Sequence, residues 1–290
     1  LVITTPFGEI REGALKVYQE NREIYANWVI SKSGNEISFD IPNYDSSKEL
    51  RIDPPVRLWG TYYGGSNFEN GRSTATDASG NVYLAGYSNS TNNISTTGAH
   101  QFTFGGTNDA ILVKFNNNGT RQWGTYYGGS GNDGGYSVIT DESEYVYLSG
   151  ITSSTNGIST TGAHQYTFGG YNDGFLVKFN SNGVRQWGTY LGGSGNDRVS
   201  STATDSEGNI YLAGRTASTN GISTTEAQQV TFGGIFDGFL VKFNSNGVRQ
   251  WGTYYGGSGD DCSYSTATDS ESNVYLAGET ASTIGISTTG

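Results

Sequence analysis

The sequence predicts an all-β chain built from repeated four-stranded units, and three observations carry that expectation. Tryptophans stand at positions 59, 123, 187 and 251, each 64 residues from the next, and "ISTT", "FGG" and "LVKFN" recur at the same step. A fixed period without insertions makes each copy one structural unit packed on its neighbours. Each unit also holds four short runs of strand formers, with no helical period longer than a turn or two. Finally, 44 glycines and frequent Ser, Thr and Asn accompany 13% aromatic residues, enough rings to fill a core in a chain that is only 34% hydrophobic. Turn-rich all-β proteins have this composition.

Taken in chain order, residues 1–58 form a β-rich segment of their own. "ALKVYQ", "IYANWVIS" and "EISFDI" are strand-like, with Ser33-Gly34-Asn35 as a turn between the last two. Pro54-Pro55 ends the segment, because proline cannot donate to a ladder. Residues 59–290 carry the repeats. "RLWGTYYG" (residues 57–64) matches the last strand of a unit whose other strands are not recognisable, and the N-terminal strands are expected to complete it. In the full copies "STATD" (residues 201–205) turns through "SEGN" into "IYLAGRT". The third strand, "AILVKFN" (residues 110–116), puts Ile111, Val113 and Phe115 on one face at period two. Asn182-Gly183 joins third strand to fourth, and Asn-Gly favours the positive φ angles of a tight hairpin turn.

Four antiparallel strands, repeated, read as blades of a β-propeller. A typical propeller repeat is ~40–50 residues; the excess here lies between the second and third strands, in stretches such as residues 154–173. A β-solenoid is the competing fold, but its turns are usually shorter and need fewer hairpin signals. The chain holds three complete strand sets and part of a fourth, fewer than most closed rings of ~4–8 blades need. Further blades are therefore expected from continuing sequence or another chain.

At "GTYYGGSGND", "TDSEGNIYLAG", "ISTTGAHQYTFGG" and "DGFLVKFNSNG" the chain resembles the bacterial seven-bladed β-propeller repeat (SBBP) family, over about residues 59–290. "YDSSKELRIDPPV" (residues 44–56) resembles the β-rich segment that often precedes such repeats. The resemblance implies large secreted or cell-surface bacterial proteins, many with adhesion-type modules and a C-terminal sorting signal. No such signal is visible here, and the absence of methionine leaves residue 1 as either the first residue after a removed signal segment or the start of an excerpt.

The net charge of −11 repels phosphate backbones and anionic lipid, so no nucleic acid is expected as a partner. No apolar run is long enough to span a bilayer, so no membrane insertion is expected. The single cysteine, Cys262, excludes an internal disulfide framework and any Cys-based zinc cluster.

Within a repeat protein, features present in every unit serve the frame, and features that vary between units are the better site candidates. Trp59, Trp123, Trp187 and Trp251 recur, and are expected to pack between blades; a sugar-stacking platform is the alternative. The glycines of "YYGGSG" lack the Lys-Ser/Thr of a phosphate loop and read as tight turns. Three acidic slots recur: Asp77, Asp141, Asp205 and Asp269; Asp109, Asp173 and Asp237; and Glu69, Asp133, Asp197 and Asp261. Each is expected to fix a turn through backbone N–H groups. Calcium, which takes six to eight oxygens, is the alternative, with Asp260 and Asp261 its candidates; no other cofactor is expected. His100 and His164 share one slot, filled by Gln228 in the third copy, and read as loop anchors. Cys262 aligns with Asn70, Gly134 and Arg198, a slot that accepts any residue and is read as exposed and inert.

The long loops (residues 88–108, 152–172 and 216–236) exceed what a blade requires. Their copies differ at Phe102, Tyr166 and Val230 and at Thr107, Tyr171 and Ile235. Phe102, Tyr166 and Tyr171 are therefore the candidate ligand-binding residues. No Ser-His-Asp set or particular carboxylate pair is nominated for catalysis. The expected function is non-catalytic: an extracellular, structural or adhesive propeller segment presenting its loops to a glycan or surface protein. A polysaccharide hydrolase or lyase on a propeller frame is the alternative.

Overall fold

A computed structural model of the chain describes residues 2–5, 8–11, 16–20, 22–30, 37–53 and 59–286. The turn at Ser33-Gly34-Asn35, the Pro54-Pro55 stop and all but Ile286 of the fourth "ISTT" lie outside the described residues. The chain folds as two compact units, Leu1–Gly60 and Thr61–Gly290.

Among the described residues the first unit holds seven short strands: β1 (Val2–Thr5), β2 (Gly8–Arg11), β3 (Lys16–Gln19), β4 (Arg22–Ile24), β5 (Asn27–Ile30), β6 (Ile37–Asp40) and β7 (Leu50–Asp53). β1 pairs with β2, β5 with β6, and β3 stands between β4 and β7, all antiparallel.

The second unit is built from antiparallel four-stranded sheets with one strand order. The first comprises β8 (Glu69–Thr76), β9 (Val82–Ser88), β10 (Asp109–Phe115) and β11 (Arg121–Tyr127). The second comprises β12 (Asp133–Thr140), β13 (Val146–Thr152), β14 (Asp173–Phe179) and β15 (Arg185–Leu191). The third comprises β16 (Asp197–Thr204), β17 (Ile210–Thr216), β18 (Asp237–Phe243) and β19 (Arg249–Tyr255). β20 (Asp261–Thr268) and β21 (Val274–Thr280) begin a fourth. Among the described residues there is no helix. These meanders are propeller blades; in the repeats, parallel pairing is confined to isolated bridges such as Asn108 to Asn132, which is not the ladder of a solenoid.

One blade cannot bury both faces of its sheet alone, so the core lies between blades. Tyr83, Ala85 and Leu112 of the first blade pack with Val138, Leu148, Phe175 and Val177 of the second. Tyr147 and Leu176 of the second pack with Val199, Leu212 and Phe239 of the third. First strands lie side by side and are stitched by serines: Ser73 Oγ accepts from Val138 N, Ser137 Oγ from Thr202 N and Ser201 Oγ from Thr266 N, each at 3.1 Å. This places β8, β12, β16 and β20 nearest the axis about which the blades are arranged.

Trp123 and Trp187 act between blades. Trp123 Nε1 donates to Ser181 O (3.0 Å) and Trp187 Nε1 to Ser245 O (3.2 Å), in each case in the third-to-fourth-strand turn of the next blade. Those turns differ from a two-residue Asn-Gly hairpin. Gly183 alone has positive φ (78°), a bulge follows Lys178, and Asn180 Oδ1 accepts from the backbone N–H of Asn182 and Val184. This is a longer turn closed by a left-handed glycine.

One assignment is corrected at the N-terminal edge of the repeats. Residues 59–68 form no strand, Trp59 is half-buried, and Tyr62 is fully exposed. In every later copy this phrase pairs with a third strand that precedes it. The residues at that offset here include β7, which instead pairs with β3. Without its ladder partner the phrase stays irregular, although Tyr63 keeps its tie to Ile94 O (2.5 Å).

Candidate functional site

The long loops between second and third strands are built structures. Ile94, Ile158 and Ile222 of the repeated "ISTT" are fully buried anchors. Thr96 N donates to Gly124 O and Gln101 N to Thr125 Oγ1, both at 2.9 Å, which pins the loop to the fourth strand. Phe104, Phe168 and Phe232 turn inward and meet Tyr126, Tyr190 and Tyr254 edge to face at 5.9 Å. Against this frame the residues that vary between copies point out. Phe102 and Tyr166 are each 60% exposed and Tyr171 is 77% exposed, and Val230 and Ile235 occupy the same two exposed slots. Hydroxyls hold the backbone beneath them: Ser95 Oγ donates to Phe102 O and Ser159 Oγ to Tyr166 O, both at 2.6 Å. Phe102, Tyr166 and Val230 thus sit one per blade, and among the described residues no ring contact joins Phe102, Tyr166 and Tyr171.

The acidic slots serve the frame, by two geometries. Asp77 closes the first hairpin, accepting from Asn81 N (2.9 Å) and Tyr83 Oη (3.0 Å). Burial pushes its carboxyl up, and these donors more than offset it, leaving it below the usual range. In the other two slots every aspartate is buried at a strand start, Glu69 being half-buried, and the aspartates lie in pairs. Asp173 accepts from Gln165 Nε2 (2.8 Å) and Gly169 N (2.9 Å). Asp197 accepts from Thr216 Oγ1, Ser218 Oγ (2.7 Å) and Gly193 N (2.8 Å). Gly192 lies between them; a Cβ there would stand 2.5 Å from Asp197 Oδ2 and 3.0 Å from Asp173 Oδ1. Burial, and then the neighbouring carboxylate, raise Asp109 to about 6 and Asp173 to about 7. Asp261, the calcium candidate, is ringed by donors in the same way: Thr280 Oγ1 (2.5 Å), Ser282 Oγ and Gly257 N (both 2.7 Å). Its neighbour Asp260 is exposed. Among the described residues no group of three or more His, Cys, Asp or Glu could hold a metal ion.

His100 packs on Tyr127 of its own blade and Phe179 of the next, and His164 on Phe243 of the next, so each ties a loop to an aromatic ring of the following blade. Burial, reinforced by Arg185 and Arg249, lowers both to about 4, which keeps them neutral.

A second concavity lies on the axial strands. Each first strand carries a bulge that leaves one residue out of register: Arg72, Tyr136, Ser200 and Tyr264. Together with Arg198 these four line a cleft of about 270 Å³. The guanidinium of Arg72 stands 5.3 Å, and that of Arg198 5.6 Å, from the centroid of the Tyr136 ring.

Two family models match the chain. Residues 1–55 match a domain of unknown function (DUF7948), and residues 186–222 and 250–285 match the SBBP beta-propeller repeat. Residues 186–222 and 250–285 are SBBP beta-propeller repeats. Each match runs from a fourth strand through the first two strands of the next blade, so the SBBP unit bridges two blades rather than enclosing one. An uncharacterized WD repeat-containing protein of Acanthamoeba polyphaga mimivirus is 23% identical over 253 residues, covering 77% of this chain. The chain spans only 18% of that relative's length. A crystal structure of a protein of unknown function from Dyadobacter fermentans overlaps 91% of this chain and 75% of its own, at 9% identity and a TM-score of 0.40.

Between the copies, variation marks the exposed loop residues, but one variable slot is not exposed. Cys262 is buried (5% exposed), and its thiol lies 4.0 Å from Arg198 Nη2. Of the slot of Asn70, Gly134, Arg198 and Cys262, Arg198 lines the axial cleft. The signal for that cleft was present in the sequence: Arg72, Tyr136, Ser200 and Tyr264 occupy one slot, which holds Arg, Tyr or Ser by turns.

Proposed function

We propose that this chain is a non-catalytic, extracellular segment of a bacterial secreted or cell-surface protein, structural or adhesive in role. Its blades present their long loops to a glycan or a protein. One observation supports this above others: loop residues repeated in every copy are buried or hydrogen-bonded, while the varied ones, Phe102, Tyr166 and Tyr171, are large, aromatic and exposed. Rings held at fixed spacing on rigid supports suit many weak contacts that add by multivalency. The rival reading, a polysaccharide hydrolase or lyase, lacks such support at the paired acids, because Asp109, Asp133, Asp173 and Asp197 are fully buried and cannot reach a glycosidic bond.

The test replaces Phe102 and Tyr166 together with alanine. Unchanged circular dichroism and unfolding, with weakened retention on bacterial cells or matrix polysaccharide, is the expected result. Unfolding of the variant would make these rings part of the frame. Full retention with the fold intact would remove the loops as the binding surface.

A further inference from the structure

The axial cleft is built unlike the rest of this acidic chain, and the loop reading makes no use of it. Arg72 and Arg198 approach it from β8 and β16, on either side of β12, which carries Tyr136, and Tyr264 on β20 completes the lining. The ion pairs of the described residues involve Lys48, Lys114 and Lys242, and neither of these arginines. Arg72 Nη2 has only a long contact to Tyr87 Oη (3.4 Å), and Arg198 Nη2 the weak acceptor Cys262 Sγ. Arg198 Nε and Ser200 Oγ are buried without a hydrogen-bond partner. A guanidinium is always charged, and a ring face compensates it only in part. A buried donor left without an acceptor is costly. The cleft therefore offers two guanidinium cations, the unpartnered Ser200 hydroxyl and two tyrosine rings, and none of its lining residues is acidic. The carboxylate of Glu279, bonded to the Tyr264 rim, already accepts from Tyr264 Oη.

The ligand's class follows from charge, shape and size. The planar fork of arginine matches a carboxylate, and tyrosine rings take the apolar face of a sugar. The net charge of −11 sets a field that disfavours polyanions, so a group with one negative charge is preferred. Pockets for drug-sized molecules run about 300–1,000 Å³, so about 270 Å³ suits one sugar ring rather than an extended chain. We propose that the axial cleft binds a single uronate residue, its carboxylate on Arg198 and Arg72 and its ring against Tyr136 and Tyr264. This site is independent of the exposed loops.

The test is calorimetric titration of the 290-residue chain with D-glucuronate, its uncharged methyl ester, and acetate. Glucuronate is expected to bind, and both other probes to bind at least about tenfold more weakly. Arg198→Gln and Arg72→Gln are each expected to weaken glucuronate about tenfold or more, the loss of one charge-assisted hydrogen bond. The Phe102→Ala, Tyr166→Ala variant is expected to bind glucuronate as the parent does, which separates this site from the loops. Arg72 is exposed, so its variant remains informative if Arg198→Gln fails to fold. No glucuronate binding, equal binding of the ester or of acetate, or unchanged affinity in Arg72→Gln would each overturn the proposal.

Discussion

Replacing Gly183 with alanine tests the contact that holds one blade to the next. Gly183 has a φ of +78°, and a Cβ built there would lie 3.0–3.2 Å from three ring atoms of Trp123. Gly162 in the same blade has a φ of +83° with nothing within 4 Å of its Cβ position. Both substitutions carry the left-handed penalty of an L-residue, about 1–2 kcal/mol. Only Gly183→Ala also displaces the indole and strains its bond to Ser181 O (3.0 Å), a bond worth about 0.5–1.5 kcal/mol. Gly183→Ala is thus expected to cost about 1.5–3.5 kcal/mol and Gly162→Ala about 1–2 kcal/mol. Urea unfolding followed by circular dichroism measures both. Gly247→Ala, against Trp187 at the same 3.0 Å, should repeat the larger loss. In a Trp123→Ala background the excess should vanish, since contacting residues couple and separated ones do not. Equal losses at Gly183 and Gly162, or an excess that survives removal of Trp123, would refute the inter-blade role.

Other consequences are equally direct. Tyr127→Phe removes the hydroxyl that reaches Ile158 O (2.5 Å) in the neighbouring blade and leaves a buried carbonyl without that donor; a loss of about 1–3 kcal/mol in urea unfolding is expected, and a loss below about 0.5 would show the bond is dispensable. Asp173, raised to about 7 by burial, holds its proton in the folded state where the unfolded chain has released it, so its contribution is lost as pH rises from about 4 to about 7. Asp173→Asn should therefore gain on the parent in melting temperature between pH 5 and pH 8. The two lowered histidines act with the opposite sign but are common to both proteins and cancel; a pH-independent difference would show that Asp173 titrates normally. Because hydroxyl and backbone donors fill the oxygens of Asp261, a chelator should leave the melting temperature unchanged, and a drop restored by calcium would place a metal at the acidic turns.

The blades are legible in the amino-acid sequence alone. The 64-residue step, the strand-like runs and the left-handed glycines are local or periodic signals, and a repeat that must bury its faces on copies of itself repeats its contacts as well. Trp123 and Trp187 can be read as inter-blade residues for that reason, and Phe102, Tyr166 and Tyr171 as outward-facing because their slots are free to vary. Whatever depends on distant partners is settled by packing instead. "RLWGTYYG" has the letters of a strand, yet its residues from Trp59 onward form none, because a strand needs a neighbour to pair with and β7 pairs elsewhere. Asp173 and Asp197 look like turn acids, yet packing seals them together around Gly192. Arg72, Tyr136, Arg198 and Tyr264 lie as much as 192 residues apart in the chain. Only the convergence of first strands brings them to one cleft, and the bulges that set Arg72, Tyr136 and Tyr264 out of register fall at one slot whichever residue fills it, so they arise from ladder geometry rather than from any local preference of Arg, Tyr or Ser.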